Sequence, residues 1–116
     1  MTRLTALLFG AALTASATAY AHHGWMSYDA SRTLTLTGKV VESGYEHPHG
    51  FVKLQTTDKT WTVVLAPPSR MERRGLPREA IAVGSTVTVV GYPHRDTADE
   101  LRAERITAGG NPVELR

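Results

Sequence analysis

From Thr33 onward the chain alternates. In Thr33-Leu34-Thr35-Leu36-Thr37-Gly38-Lys39-Val40-Val41, Leu34, Leu36 and Val40 share one face and the threonines take the other. Period-two alternation predicts a half-buried strand. It is able to run to Tyr45, with Gly38 marking a bulge or bend. His47-Pro48-His49-Gly50 interrupts it, because Pro48 has no N–H for a central ladder and Gly50 frees the turn. Phe51 to Thr57 follows as a second strand with Val52 and Leu54 on one face. Lys59 to Ala66 is a third, with Trp61, Val63 and Leu65 aligned.

Pro67-Pro68-Ser69 stops the sheet. Ser69 with Glu72 predicts a capping box, Arg73 and Arg74 fall in the last turn, and Gly75 ends a short helix. Pro77 to Ile81 predicts one further helical turn. Thr86 to Tyr92 is a fourth strand with Val87 and Val89 on one face, and Pro93 to Ala98 is a polar loop. Glu100 to Thr107 is a fifth strand with weaker alternation. The chain is therefore all-β. Five short strands with one helix between the third and fourth give the layout of a small OB-like barrel. Another small antiparallel barrel or a sandwich is the alternative.

The residues before Thr33 read differently. Arg3 gives a positive start, Leu4 to Leu13 are apolar or small apart from Thr5, and Ala19-Tyr20-Ala21 is an A-x-A site. That layout predicts a secretory signal peptide over residues 1–21; the apolar run falls short of the roughly 20 residues a span needs. Residues 22–32 then form a histidine-rich arm and 33–116 the barrel. The expected product is exported, in a bacterium to the periplasm, with no membrane span after cleavage.

Composition narrows the chemistry. The chain of 116 residues has five histidines and no cysteine, which excludes disulfides, thiolate metal sites and thiol nucleophiles. Lys and Arg number 13 against 11 Asp and Glu, a net charge of +2. So weak a balance, with few aromatics, argues against nucleic acid as a partner. No serine has a nucleophile-elbow context, and no carboxylates pair on adjacent strands. Arg70, Arg73, Arg74 and Arg78 cluster around the helix; two of them suit its C-terminus and the rest read as a solvated face.

Four of the five histidines fall in two short clusters. Cleavage after Ala21 would give His22 a free amine beside its imidazole, a chelating pair that suits copper(II), with His23 as a further nitrogen donor. His47 and His49, at i and i+2, would share one face of an extended segment. Met26 offers a thioether suited to copper(I), and Glu46 an oxygen donor or an acceptor that orients an imidazole. The expectation is a copper-binding protein for trafficking or protection, with His22, His23, His47, His49 and Met26 as ligands and another periplasmic protein as partner. Each cluster has a plainer reading: a solvated, frayed end for His22 and His23, a polar loop for His47 and His49. The alternative function is a non-metal OB-like module that holds a sugar, lipid or partner protein on a face carrying Tyr45, Phe51 and Tyr92. An oxidase with a histidine-brace copper ranks last, since no substrate groove can be read.

Ala21-His22-His23-Gly24-Trp25 with Tyr28-Asp29, then Leu36-Thr37-Gly38-Lys39-Val40, then His47-Pro48-His49 before Phe51, form a recurring set. Arg73-Arg74-Gly75 and Gly84 to Tyr92 extend it. In this set the chain resembles a family of small exported bacterial proteins of unknown function that carry Asn-Pro-His where this chain has His-Pro-His. The resemblance implies export and an OB-like barrel, and supplies no established activity.

Overall fold

A computed structural model describes residues 24–116. Residues 1–23 lie outside it, and with them the expected signal peptide and the candidate ligands His22 and His23.

The alternation becomes strands where it was read. They are β1 (Leu34–Gly44), β2 (Phe51–Gln55), β3 (Thr60–Val64), β4 (Thr86–Pro93) and β5 (Glu100–Thr107). β1, β2 and β3 form an antiparallel meander, β4 pairs with the other side of β1, and β5 pairs with β4. A parallel pairing of β3 with β5, Thr62 to Glu100 through Val64 to Arg102, closes the barrel. This is the five-stranded, OB-like closure that the element order predicts, with one short α-helix between the third and fourth strands. Among the described residues, closure leaves no long strand edge exposed for pairing with another chain.

Val40, Val52, Leu54, Val63, Val87, Val89, Leu101, Ala103 and Ile106 fill the interior. Met71, Leu76 and Ile81 from the helical connection complete this core. In a barrel this narrow, side chains occupy the lumen, so a ligand must bind outside it. Where β4 crosses β5, a Cβ on Gly91 would collide with the Arg102 carbonyl, so this position requires glycine.

Three details differ from the sequence reading. The α-helix, α1 (Pro68–Arg73), begins at Pro68 with Pro67 as its N-cap and no side-chain cap. Ser69 therefore lies inside the first turn rather than at the cap, and proline's preset φ starts the helix without a capping box. Gly75, at φ +93°, does end the turn, and Arg78–Ile81 forms the further helical turn as a 3-10 segment. The bulge in β1 falls between Val40 and Glu42, not at Gly38, whose missing side chain instead admits the Gln55 backbone. A sixth strand, β6 (Val113–Glu114), pairs with β5.

Both ends of the described chain are tied to the barrel. On the arm, Asp29 N donates to Pro93 O at 2.8 Å, and Arg95 N and Nε donate to Ser27 O and Met26 O at 2.9 and 3.1 Å. On the tail, Arg70 Nη1 donates to Leu115 O at 3.0 Å, and Arg74 Nη1 to Glu114 O at 2.8 Å and Arg116 O at 3.0 Å. Two of the helical arginines thus hold the C-terminal segment down.

Candidate functional site

Strand register builds one row across the outside of the barrel. Phe51 pairs with Val64, Val64 with Arg102, and Arg102 with Tyr92. One step along, Lys53 pairs with Thr62 and Thr62 with Glu100. Their inward neighbours Val52, Val63 and Leu101 are buried, so alternation turns all of these side chains outward. The β1–β2 loop brings Pro48 and His49 over this face, and the β4–β5 loop brings His94 and Thr97. Together with Tyr28 from the arm they wall a cleft of about 460 Å³. It lies where OB-type barrels generally receive ligands, on the β2–β3 face between these two loops.

His49 is placed by its neighbour. Gly50 N donates to Ala66 O at 2.9 Å and Gly50 O accepts from Leu65 N at 2.8 Å, pinning the loop to the end of β3. The His47–Pro48 peptide is cis. His47 is exposed while His49 is half-buried against the cleft. His49 Nε2 lies 3.3 Å from Arg102 Nη2. A guanidinium can only donate, so Nε2 is the acceptor and the neutral ring carries its proton on Nδ1. Burial, then the charges of Arg102 and Arg70, hold the His49 pKa below the ordinary imidazole value.

Arg102 is the residue that sequence reasoning missed. It sits outward on a strand, where a solvated side chain is expected, yet it is only 7% exposed. The arm covers it. Its Cζ lies 4.5 Å from the Trp25 ring and 6.0 Å from that of Tyr28. Arg116 also lies 4.5 Å from Trp25, whose ring meets Tyr92 edge-on at 6.2 Å. Each cation–π contact of this kind contributes about 0.5–2 kcal/mol. Burial, and the like charges of Arg70 and Arg116, hold the Arg102 pKa below the usual guanidinium value.

Tyr28 also shapes the cleft. Its hydroxyl donates to Glu100 Oε2 at 2.5 Å, and its ring meets His94 edge-on at 5.0 Å. His94 also lines the cleft. Its Nδ1 accepts the backbone N–H groups of Asp96 and Thr97 at 3.0 and 2.9 Å, so its proton is on Nε2.

Of the expected copper ligands, Met26, His47 and His49 fall within the described residues. Met26 is 90% exposed. His47 and Glu46 are exposed, and His49 directs the lone pair of Nε2 at a cation. Among the described residues no group of three or more His, Asp or Glu side chains gathers at metal-binding distance. The aromatic face of Tyr45, Phe51 and Tyr92 also divides. Tyr45 is buried and donates to Leu76 O at 2.6 Å, Phe51 lines the cleft, and Tyr92 packs on Trp25 and donates to Glu104 at 2.9 Å.

Fold and site define a small closed OB-like barrel with one outer face walled into a cleft by its N-terminal arm. The chain belongs to DUF6152, a family of unknown function, whose profile matches residues 11–102. No curated protein matches it. Among solved structures it is similar to part of TiaS in complex with a tRNA and ATP, with a TM-score of 0.52 and 23% identity over 77% of this chain and 20% of that one. A TiaS complex with a tRNA, AMPCPP and agmatine gives a TM-score of 0.51 and 20% identity over 70% of this chain and 19% of that one. The chain spans about a fifth of those proteins, and the likeness is one of fold.

Proposed function

We propose that this protein is an exported binding module that holds a small organic ligand in the cleft between the β1–β2 and β4–β5 loops. The observation that carries this reading is convergence. Tyr28 from the arm, His49 from the His-Pro-His loop, and Glu100 and Arg102 from β5 meet around one cleft although the sequence scatters them, with Trp25 packed on Arg102. The volume suits a ligand of drug-like size or below, and the wall mixes apolar side chains with a few convergent polar groups, the usual make-up of such sites. Export rests on the N-terminal layout of charge, apolar run and Ala-Tyr-Ala. An NMR fragment screen on the processed protein tests the reading. Shifted amides should cluster at His49, Gly50, Thr62, Thr97 and Arg102; a cluster elsewhere on the barrel contradicts it.

A second reading keeps copper, at the amino terminus. It is favoured by the position of Trp25, two residues after His23, against the Arg102 that touches His49. His22 and His23 would then supply the nitrogen donors, with His49 or an exposed His47 or Met26 as a further ligand. Copper titration of the processed protein, with the mature N-terminus fixed by mass, should give binding tighter than about micromolar if this reading holds (about −8 kcal/mol).

A further inference from the structure

We propose that the ligand of this cleft is a neutral sugar ring, its C–H face on Phe51 and Val64 and its hydroxyls on Thr62 and Glu100. The inference rests on the cleft being the binding site and adds the class of ligand.

Strand register sorts the wall into two rows. Phe51 faces Val64 across β2 and β3, and two residues along β3 Thr62 faces Glu100 on β5. All four side chains line the cleft. The rows are about 7 Å apart, so an apolar band runs beside a hydroxyl and a carboxylate. A flat apolar ligand would leave the second row unused, and a small polar one would leave the first. A pyranose ring has a C–H face and a rim of hydroxyls, and so meets both.

Phe51 supplies the platform. It pairs with Gly44 of β1, and a Cβ on Gly44 would come within 2.8 Å of the Phe51 Cδ1. The ring thus leans over the bare β1 backbone and lies along the sheet. The negative face of an aromatic ring attracts the slightly positive C–H groups of a sugar.

Glu100 and Thr62 supply the polar edge. They stand about 5 Å apart on paired strands, a span over which neighbouring hydroxyls of one sugar each reach an oxygen. An ionised carboxylate has about four acceptor sites, and the Tyr28 hydroxyl occupies one of them while holding the group in place.

Charge selects a neutral ligand. Arg102 and Glu100 both line the cleft and their charges cancel. His49 and His94 each accept through a ring nitrogen and are neutral. An ion entering the cleft would lose hydration and meet no net opposite charge. A hydroxyl both donates and accepts, so it suits carboxylate, guanidinium and threonine alike.

The test is NMR titration of the processed protein with the methyl glycosides of glucose, galactose and mannose, and with cyclohexanol, methyl glucuronide and methyl glucosaminide. At least one neutral glycoside should shift the Thr62 and Glu100 amides and bind several-fold tighter than the three other probes. Glu100→Gln should weaken it about tenfold, as expected when a charge-assisted hydrogen bond becomes a neutral one. Thr62→Val and Phe51→Leu, which keep shape or apolarity, should each weaken it several-fold. Thr62→Val carries the test if Glu100→Gln loosens Tyr28. Tightest binding of cyclohexanol, the glucuronide or the glucosaminide overturns the ligand class, as does unchanged affinity in Thr62→Val. If no glycoside binds while the fragment screen marks the cleft, the class alone falls; if the screen also misses the cleft, the binding reading falls with it.

Discussion

His49 and Arg102, 53 residues apart in sequence, meet at 3.3 Å through Nε2 and Nη2. The contact fixes the ring as an acceptor at Nε2, while His94 across the cleft accepts at Nδ1 from two backbone amides. The two cleft histidines should therefore be opposite neutral tautomers, His49 protonated on Nδ1 and His94 on Nε2. Long-range nitrogen–proton correlation spectra at neutral pH read this directly. Matching tautomers would contradict the geometry, and Arg102→Lys should disturb the His49 pattern more than that of His94.

Gly91 holds the barrel closed at a point with no room for a side chain. Gly91→Ala places a Cβ against the Arg102 backbone and should cost about 1–3 kcal/mol or more in urea unfolding. Gly110 has nothing within 4 Å of the same added atom, and Gly110→Ala should change stability little. Equal effects would mean that β4 and β5 cross less closely than described.

Tyr45 is a structural residue, not part of a binding face. Its buried hydroxyl donates to Leu76 O at 2.6 Å, between the end of β1 and the helical connection. Tyr45→Phe leaves that carbonyl without its donor and should cost about 1–3 kcal/mol in chemical denaturation. Ligand affinity at the cleft should be unchanged, whereas a direct role in binding would lower it.

The arm has its own pH marker. The Ser31 hydroxyl and amide donate to Asp29 Oδ1 at 2.6 and 3.1 Å, and with Arg95 and Arg32 hold the Asp29 pKa below its ordinary 3.8. A depressed carboxylate favours the folded turn above pH 3.8 and loses that contribution as pH falls through the lower folded value. Carboxyl NMR titration should give Asp29 a midpoint below 3.8, and Ser31→Ala should raise it. An unchanged midpoint in Ser31→Ala would remove the hydroxyl as the main cause.

The barrel was legible because its strands obey a local rule. Leu34, Leu36 and Val40, then Val52 with Leu54, then Val87 with Val89, alternate with polar residues, and each set turns toward the core. The capping box was misread because Ser69 follows two prolines, and proline starts a helix by itself. The cleft was half legible. His-Pro-His stood out, but the shared face of i and i+2 holds for a strand, and this loop exposes His47 while His49 turns inward. Arg102 gave no local signal. A charged residue on a weakly alternating strand reads as solvated, and what buries it is an arm more than 70 residues earlier. Burial from such a distance leaves no periodicity to read.

The most direct measurement is a crystal structure of the processed protein soaked with the fragments that the NMR screen selects. The account predicts ligand density between the β1–β2 and β4–β5 loops, against His49 and Phe51. Ligand density only elsewhere on the barrel would contradict it.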